Sequence, residues 1–300
     1  MTAPSFPELT LPQMLREHAR LTPQRTAVRQ KDFGIWNPVS WKDYYERAAN
    51  VGHGYRALGL DAGSHVAVLS ENRVEWVLAQ LGAGLVGAVT IGVYPTSPAN
   101  EVAYVLEHAD AEIIVCEDQE QVDKVIEVRD QLPMLRRIVV VEVKGMRSYP
   151  ADLVVSFEAL EQAGAAHRAR NPGLVDEALS RQGLEDTALM IYTSGSTGKP
   201  KGAMLTYANI RAQAVAVVEK LGLDRNATHL SYLPLCHVAE QMTTLMAPVY
   251  LGSQINFGES IRTVQEDLRE VAPSMFLGVP RIWEKLQSTI TVRLLDTRPL

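Results

Sequence analysis

The densest group of chemically capable side chains lies in residues 192–205, which read Tyr-Thr-Ser-Gly-Ser-Thr-Gly-Lys-Pro-Lys-Gly-Ala-Met-Leu. The apolar residues 189–192 predict a buried strand that leads into this segment. Glycines let backbone amides converge on an anion, hydroxyls add neutral donors, and lysines add positive charge. The segment therefore predicts a loop that binds a polyphosphate, followed by a helix that begins near Thr206.

Two other catalytic motifs overlap this segment and fit it less well. Residues 195–199 resemble a Walker loop, but only two residues separate the glycines, and Pro200 stands where a hydroxyl would bind Mg²⁺. Ser196 and Lys199 match the S-x-x-K motif of penicillin-recognising serine enzymes, whose S-D-N and K-T-G elements do not occur in the sequence. A serine acyl-enzyme stays as an alternative, which covalent labelling of Ser196 by an acylating inhibitor would favour.

A third pattern, Gly82-x-Gly84-x-x-Gly87 with Glu101 downstream, matches the dinucleotide-binding fingerprint. That fingerprint must follow a strand and open a helix. Here the order is reversed, because residues 74–85 predict a helix and residues 88–93 a strand. We interpret the glycines as small residues that allow close packing of the helix on a sheet.

The elements that position these residues follow from short apolar runs that alternate with helical patterns. Continuous apolar strands are typical of a parallel sheet covered on both faces, so the fold class is α/β. Further helices are predicted from the spacing of Ile210, Ala214, Val217 and Leu221, from that of Ile261, Val264, Leu268 and Val271, and from Pro280 onward. The predicted strands are residues 65–69, 88–93, 113–116, 138–143, 189–192, 229–233, 254–257 and 274–277.

The length of 300 residues predicts about two domains at roughly 150 residues each. Residues 162–183 are rich in Ala, Gly and Arg and contain Asn171-Pro172-Gly173, which predicts a boundary. We therefore expect one α/β subdomain over residues 1–183 and a second over residues 184–300.

Composition restricts the partners and the compartment. The net charge of −6 argues against a broad basic surface for nucleic acid. Cys116 and Cys236 form no C-x-x-C pair, and residues 1–21 lack the pattern of a secretory signal, so we expect a reducing, cytoplasmic location. The uncharged residues 76–100 are interrupted by glycines and prolines, which favours a buried helix and strand over a membrane span.

Together these segments resemble the adenylate-forming superfamily, which includes acyl-CoA synthetases, luciferases and nonribosomal peptide adenylation domains. Residues 192–202 are similar to its phosphate-binding signature, and residues 232–241 to the segment whose histidine borders the carboxylate pocket. Residues 256–261, 267–271 and 279–286 resemble the long-chain fatty acyl-CoA synthetase branch. Residues 40–44, 63–68 and 93–98 also fit, so the resemblance extends over nearly the whole chain.

The resemblance implies an AMP-forming long-chain fatty acid–CoA ligase, whose partners are a fatty acid, ATP, Mg²⁺ and CoA. Lys201 matches the characteristic lysine, and Lys201 and Thr197 are the residues implied to be catalytic. Lys199 matches a more variable position. His237 matches the histidine that borders the carboxylate pocket, and no metal ligand is assigned in this chain. Trp283 matches a tryptophan that gates the acyl tunnel; the alternative is core packing with Leu286 and Ile290 at helical spacing. The residues implied to hold the ATP phosphates are Thr193, Ser194, Gly195, Ser196, Thr197, Gly198, Lys199 and Lys201.

Three features of the superfamily are not found in this sequence: the aromatic-Gly-x-Thr-Glu segment, the later ribose-binding aspartate, and the small C-terminal domain. We therefore expect the chain to be an N-terminal portion with an incomplete second subdomain, inactive alone. An exposed truncated face would favour self-association, and membrane-derived substrates would suit peripheral membrane contact. The alternative is a non-catalytic, truncated or split product that binds polyphosphate or acyl chains.

Overall fold

The computed structural model describes residues 8–193 and 198–296. Its strands form two sheets. Along the chain, helices alternate with strands or pairs of strands, as the sequence predicts. The strands are β1 Thr26–Asp32, β2 Ile35–Ser40, β3 His65–Leu69, β4 Val89–Val93, β5 Ala111–Cys116, β6 Arg137–Val140, β7 Val154–Ser156, β8 Thr187–Thr193, β9 Lys201–Thr206, β10 Thr228–Ser231 and β11 Gln254–Phe257. The helices are α1 Leu11–Leu21, α2 Trp41–Ala57, α3 Val74–Leu85, α4 Ala99–His108, α5 Gln119–Glu127, α6 Phe157–Arg170, α7 Leu174–Arg181, α8 Tyr207–Leu221, α9 Val238–Glu240, α10 Ala247–Leu251, α11 Val264–Val271 and α12 Pro280–Asp296.

The larger sheet has seven strands in the order β7-β6-β5-β3-β4-β8-β9. All neighbouring strands pair in parallel except β8 and β9, which are antiparallel. Strands β3 to β5 are buried along nearly their whole length, which explains their continuous apolar sequences. The predicted α/β class with a parallel sheet is confirmed.

The smaller sheet has four strands in the order β10-β11-β1-β2. Strands β10, β11 and β1 are parallel, and β2 is antiparallel to β1. Each sheet takes strands from both sides of residue 183, because β8 and β9 join the larger sheet while β1 and β2 join the smaller. The division of the chain at residue 183 therefore does not separate the sheets, and the subdomain boundary stays a prediction.

Helix α3 packs tightly on α2 through facing glycines. A Cβ atom on Gly52 would lie 2.6 Å from the carbonyl oxygen of Gly82, and one on Gly82 would lie 2.7 Å from the side chain of Val51. The glycine pattern in α3 thus serves packing of helix on helix, in place of the predicted packing of helix on sheet. Gly87 has a φ of +77°, so the turn into β4 also favours glycine there.

Several sequence predictions are wrong in detail. Residues 274–277 form no strand; Met275 makes a single bridge to His229. In α8 the buried side chains are Tyr207, Ile210, Ala214 and Val218. The buried face is therefore rotated from the predicted one, and Leu221 is exposed.

The expected boundary at residues 162–183 is largely helical. Helices α6 and α7 occupy most of this segment, and within it Gly164 and Leu179 are buried. The residues Asn171-Pro172-Gly173 separate the two helices. Among the described residues, no helix is long and apolar enough to cross a membrane.

Candidate functional site

A cleft of about 670 Å³ lies at the carboxyl ends of β4 and β8. In open α/β sheets, ligands bind at this end of the strands, because the loops there converge. The cleft brings together three of the predicted site residues, Thr193, Lys199 and His237. Its other lining residues are Gly92, Val93, Tyr94, Ser97, Asn100, Glu101, Tyr104, Val105, Tyr192 and Pro200.

The predicted phosphate loop joins β8 to β9. Thr193 ends β8 and lies opposite Lys201, the first residue of β9, in the antiparallel register. The structure thus places Lys201 on a strand, whereas the sequence predicts a continuous loop up to the helix at Thr206. Gly198 has a φ of +148°, a conformation that favours glycine. Ser194, Gly195, Ser196 and Thr197 lie outside the described residues.

The two lysines take different positions. The Nζ atom of Lys199 lies 4.9 Å from the centre of the Tyr104 ring, within the range of a cation–π contact. Lys199 lines the cleft, whereas Lys201 is exposed and is not among the lining residues. The described part of the loop therefore presents the ammonium group of Lys199 to the cleft, and that of Lys201 is exposed outside its lining.

His237 lines the wall of the same cleft and caps α9. Its Nδ1 accepts a hydrogen bond from the amide of Ala239 at 3.1 Å, and its ring is exposed. The preceding residue, Cys236, packs on β4: a Cβ atom on Gly92 would lie only 2.7 Å from the Cα of Cys236. Gly92 is thus needed at this wall for steric reasons.

Glu240, one turn after His237, holds the end of β10. Its buried carboxylate accepts hydrogen bonds from Ser231 Oγ at 2.7 Å, from the amides of Tyr232 and Leu233 at 3.1 and 3.2 Å, and from the hydroxyl of Thr244. A π-helical turn, Gln241–Met246, follows it and joins α9 to α10. Burial raises the pKa of Glu240 to about 7, and the four donors oppose that rise.

Asn72, in the loop after β3, holds the same segment from the other sheet. Its Nδ2 donates to Ser231 Oγ at 2.8 Å and to the carbonyl of Leu233, and its Oδ1 accepts from the amide of Leu235 at 2.9 Å. The loop that carries His237 is therefore fixed by hydrogen bonds from both sheets.

The one thiol at this wall is not poised for nucleophilic chemistry. Burial raises the pKa of Cys236 to about 12, so the group is a neutral thiol near pH 7. Burial also raises the pKa of the neighbouring Tyr94 hydroxyl. Among the described residues, no group of three or more His, Cys, Asp or Glu could hold a metal ion.

Trp283 lies away from this cleft. Its ring meets Phe276 edge to face at 5.9 Å between centroids, its Nε1 donates to the carbonyl of Gly278 at 2.9 Å, and about half of the side chain is exposed. Ile290, one of its two predicted packing partners, is also exposed, whereas Leu286 is half-buried. Its role as a tunnel residue stays a prediction.

Sequence reasoning missed the contribution of α4. Tyr104 and Glu101 line the cleft, and His108 contacts Tyr192 from the same helix. The signal that could have indicated α4 is the segment 93–98, which leads from β4 into α4. The sequence analysis uses that segment only as part of the family resemblance. Because β4 and β8 are parallel neighbours, the loops after them must meet.

Residues 15–298 match the AMP-binding enzyme family. Among curated proteins, the long-chain-fatty-acid–CoA ligase ACSBG2 of Xenopus laevis is 34% identical over 94% of this chain and 39% of its own length. The protein of the same name from Mus musculus is 32% identical over 94% of this chain and 43% of its own length. The chain thus spans about two fifths of the length of these relatives.

Solved structures agree in fold. A long-chain-fatty-acid-CoA ligase (FadD1) from Archaeoglobus fulgidus has a TM-score of 0.73 at 19% identity, covering 91% of this chain and 52% of its own. The anthranilate CoA ligase AuaEII, solved with anthranoyl-AMP, has a TM-score of 0.73 at 23% identity, covering 87% of this chain and 47% of its own. The family match confirms the resemblance at the level of the family, and the solved structures confirm it at the level of the fold.

Proposed function

The chain belongs to the AMP-binding enzyme family, and we propose that it supplies the phosphate-binding loop and carboxylate pocket of an AMP-forming long-chain fatty acid–CoA ligase. The observation that carries the proposal is the single cleft shared by Thr193, Lys199 and His237. The curated relatives bear the name of that activity.

In the proposed reaction, an oxygen of the fatty acid carboxylate attacks the α-phosphorus of ATP, and pyrophosphate leaves with the bonding electron pair. The thiol of CoA then attacks the acyl carbon, its proton is released, and AMP leaves. The first step brings two anions together, so positive charge and amide donors must offset their repulsion and stabilise the leaving group.

The described residues fit parts of this chemistry. Lys199 presents an ammonium group to the cleft, and Thr193 adds a hydroxyl beside it. Ser194, Gly195, Ser196, Thr197 and Gly198 are proposed to add donors to the β- and γ-phosphates, as the family resemblance implies. Mg²⁺ would reach the site with the triphosphate, because Mg²⁺ usually binds through substrate phosphates and one or two carboxylates.

Lys201 and Thr197 are proposed as the catalytic residues, as the family resemblance implies. The position of Lys201 opposite Thr193 keeps it next to the loop. In an enzyme that carries all the family's motifs, the equivalent of Lys201→Ala should slow formation of the acyl-adenylate far more than formation of the thioester. Single-turnover rates of the two half-reactions check this, and equal slowing of both would remove the assigned role.

Binding of tripolyphosphate to the 300-residue chain, followed by calorimetric titration, tests the phosphate site. We expect saturable binding that weakens about tenfold in Lys199→Ala and in Lys201→Ala, as expected for loss of one charge-assisted contact. Lys220→Ala, which removes an exposed lysine at the end of α8, is the matched control and should leave the affinity unchanged. Absence of saturable binding, or equal weakening in all three variants, would overturn the proposal.

Fatty-acid-dependent exchange of pyrophosphate into ATP, measured across acyl chain lengths, tests the catalytic part. The sequence lacks the aromatic-Gly-x-Thr-Glu segment, so we expect no exchange by these 300 residues alone. Measurable exchange would show that they suffice for adenylation. Binding without exchange also fits the alternative of a non-catalytic product that holds polyphosphate or acyl chains.

The proposal includes a cytoplasmic location and peripheral contact with the membranes that supply long-chain acids. Both cysteines of the chain are buried and unpaired, which suits a reducing compartment.

A further inference from the structure

We propose that Tyr104 and His108 of α4 are positioning residues that hold the two stems of the phosphate-binding loop. The inference rests on the proposed function, because it assigns a role toward the same anion site. The two side chains lie four residues apart and therefore on one face of α4, with ring centroids 5.5 Å apart.

His108 holds the incoming stem. Its Nδ1 is hydrogen bonded to the hydroxyl of Tyr192 at 2.7 Å, and the two rings meet edge to face at 5.7 Å. A Cβ atom on Gly202 of β9 would lie only 3.2 Å from the same tyrosine ring. Tyr192 is 5% exposed, so the end of β8 before Thr193 is fixed between α4 and β9.

Tyr104 holds the outgoing stem through two contacts. Its hydroxyl donates to the carbonyl of Pro200 at 2.9 Å, and its ring face receives the ammonium group of Lys199. One side chain thus fixes both the backbone and the charge of the residues that lead into β9. Neither contact is part of the β8–β9 ladder, whose register ends at Thr193 and Lys201.

Holding both stems before binding reduces the entropy cost of binding an anion. It also keeps the Lys199 charge on the cleft side of the loop before the anion arrives. The clamp, formed by Tyr104 and His108, is therefore expected to improve affinity for the phosphate chain by fixing the stems of the loop.

Pyrophosphate titration of the 300-residue chain tests the clamp with graded variants. Tyr104→Phe keeps the ring and loses the bond to Pro200, so we expect affinity to fall about threefold, as for one neutral hydrogen bond. Tyr104→Leu loses both contacts, so we expect a fall of about tenfold. Tyr45→Phe, a half-buried tyrosine on α2, is the matched control and should bind like the parent chain.

A double-mutant cycle separates positioning from general stability. If the ring acts through Lys199, Tyr104→Leu should bind more weakly than Tyr104→Phe in the parent background, and this difference should nearly vanish once Lys199→Ala is present. The same difference in both backgrounds, or variants that unfold at lower temperature while binding pyrophosphate normally, would overturn the clamp. Should the parent chain bind no pyrophosphate, the proposed function and the clamp both fail. Should Lys199→Ala weaken binding while Tyr104→Leu does not, only the clamp fails.

Discussion

Replacing Glu240 by glutamine should make the stability of the chain less sensitive to pH. Glu240 is 1% exposed, and burial raises its pKa from 4.5 to about 7. Between these values the folded chain keeps the carboxyl proton while the unfolded chain releases it. Folding therefore takes up a proton, and the contribution of Glu240 to stability falls as the pH rises through this window.

The size of the effect follows from the pKa difference. Each unit corresponds to about 1.4 kcal/mol, so the rise from 4.5 to about 7 costs the ionised form about 3 kcal/mol of stability. Nearly all of this loss is complete by about pH 8. In Glu240→Gln the side chain stays neutral, and its amide nitrogen would face the N–H of Leu233, which adds a cost that does not depend on pH.

Urea unfolding of both proteins from pH 5 to pH 8 provides the measurement. We expect the variant to be the less stable protein at pH 5 and to gain about 2–3 kcal/mol relative to the parent by pH 8. Burial lowers the pKa of His18, His53 and His229 to about 4, which makes both proteins less stable in acid. That contribution is common to both proteins and cancels in their difference.

A difference in the free energy of unfolding between the two proteins that stays constant from pH 5 to pH 8 would refute this reasoning. It would mean that the four donors outweigh burial and keep Glu240 ionised throughout. Glu219→Gln, at an exposed position of α8, is the control and should show no comparable trend relative to the parent.

Two further predictions concern the core. Lys31→Met should lower the free energy of unfolding by about 3–5 kcal/mol, because Lys31 pairs with buried Asp267 at 3.0 Å and its loss leaves that carboxylate without this charge partner. Urea unfolding measures the change. A loss below about 1 kcal/mol would contradict the prediction. Gly164→Ala should destabilise the α2–α6 contact by about 1–3 kcal/mol or more, because its Cβ atom would lie 1.7 Å from the carbonyl oxygen of Asn50. Gly173→Ala, where the space is open, should change the thermal midpoint little by comparison, and equal effects would argue against the packing explanation.

The sequence predicts β3 and β11 well and misses β1 and β2 of the smaller sheet. Strand β3 matches its predicted bounds because its apolar run is buried on both faces, and β11, which alternates Gln254, Ile255, Asn256 and Phe257, also matches its predicted bounds. Strand β1 carries Arg29, Lys31 and Asp32, and β2 carries Pro38, so neither shows an apolar run. Strand β1 forms by pairing with β11, which lies far away in the sequence. Strand β2 lies at the edge of the sheet, where proline is tolerated.

The candidate site is predictable to the extent that its residues are local. Thr193 and Lys199 follow directly from the signature after a buried strand, and the structure brings His237 to the same cleft. Tyr104 could not be found from spacing, because its contacts with Lys199 and Pro200 span about ninety residues and depend on the pairing of β4 with β8. Trp283 is not among the residues that line this cleft, so its role in the acyl tunnel stays a prediction.

The position of His237 relative to Lys199 depends on the contact between the two sheets. Lys199 is held by α4, which follows β4 of the larger sheet. His237 follows β10 of the smaller sheet, and Asn72 and Gly92 connect its loop to the larger one. The ring of His237 accepts a hydrogen bond from the amide of Ala239, and the backbone that carries both residues is positioned by these partners. A displacement of one sheet against the other would therefore change the width of the cleft at the point where carboxylate and phosphate are proposed to meet.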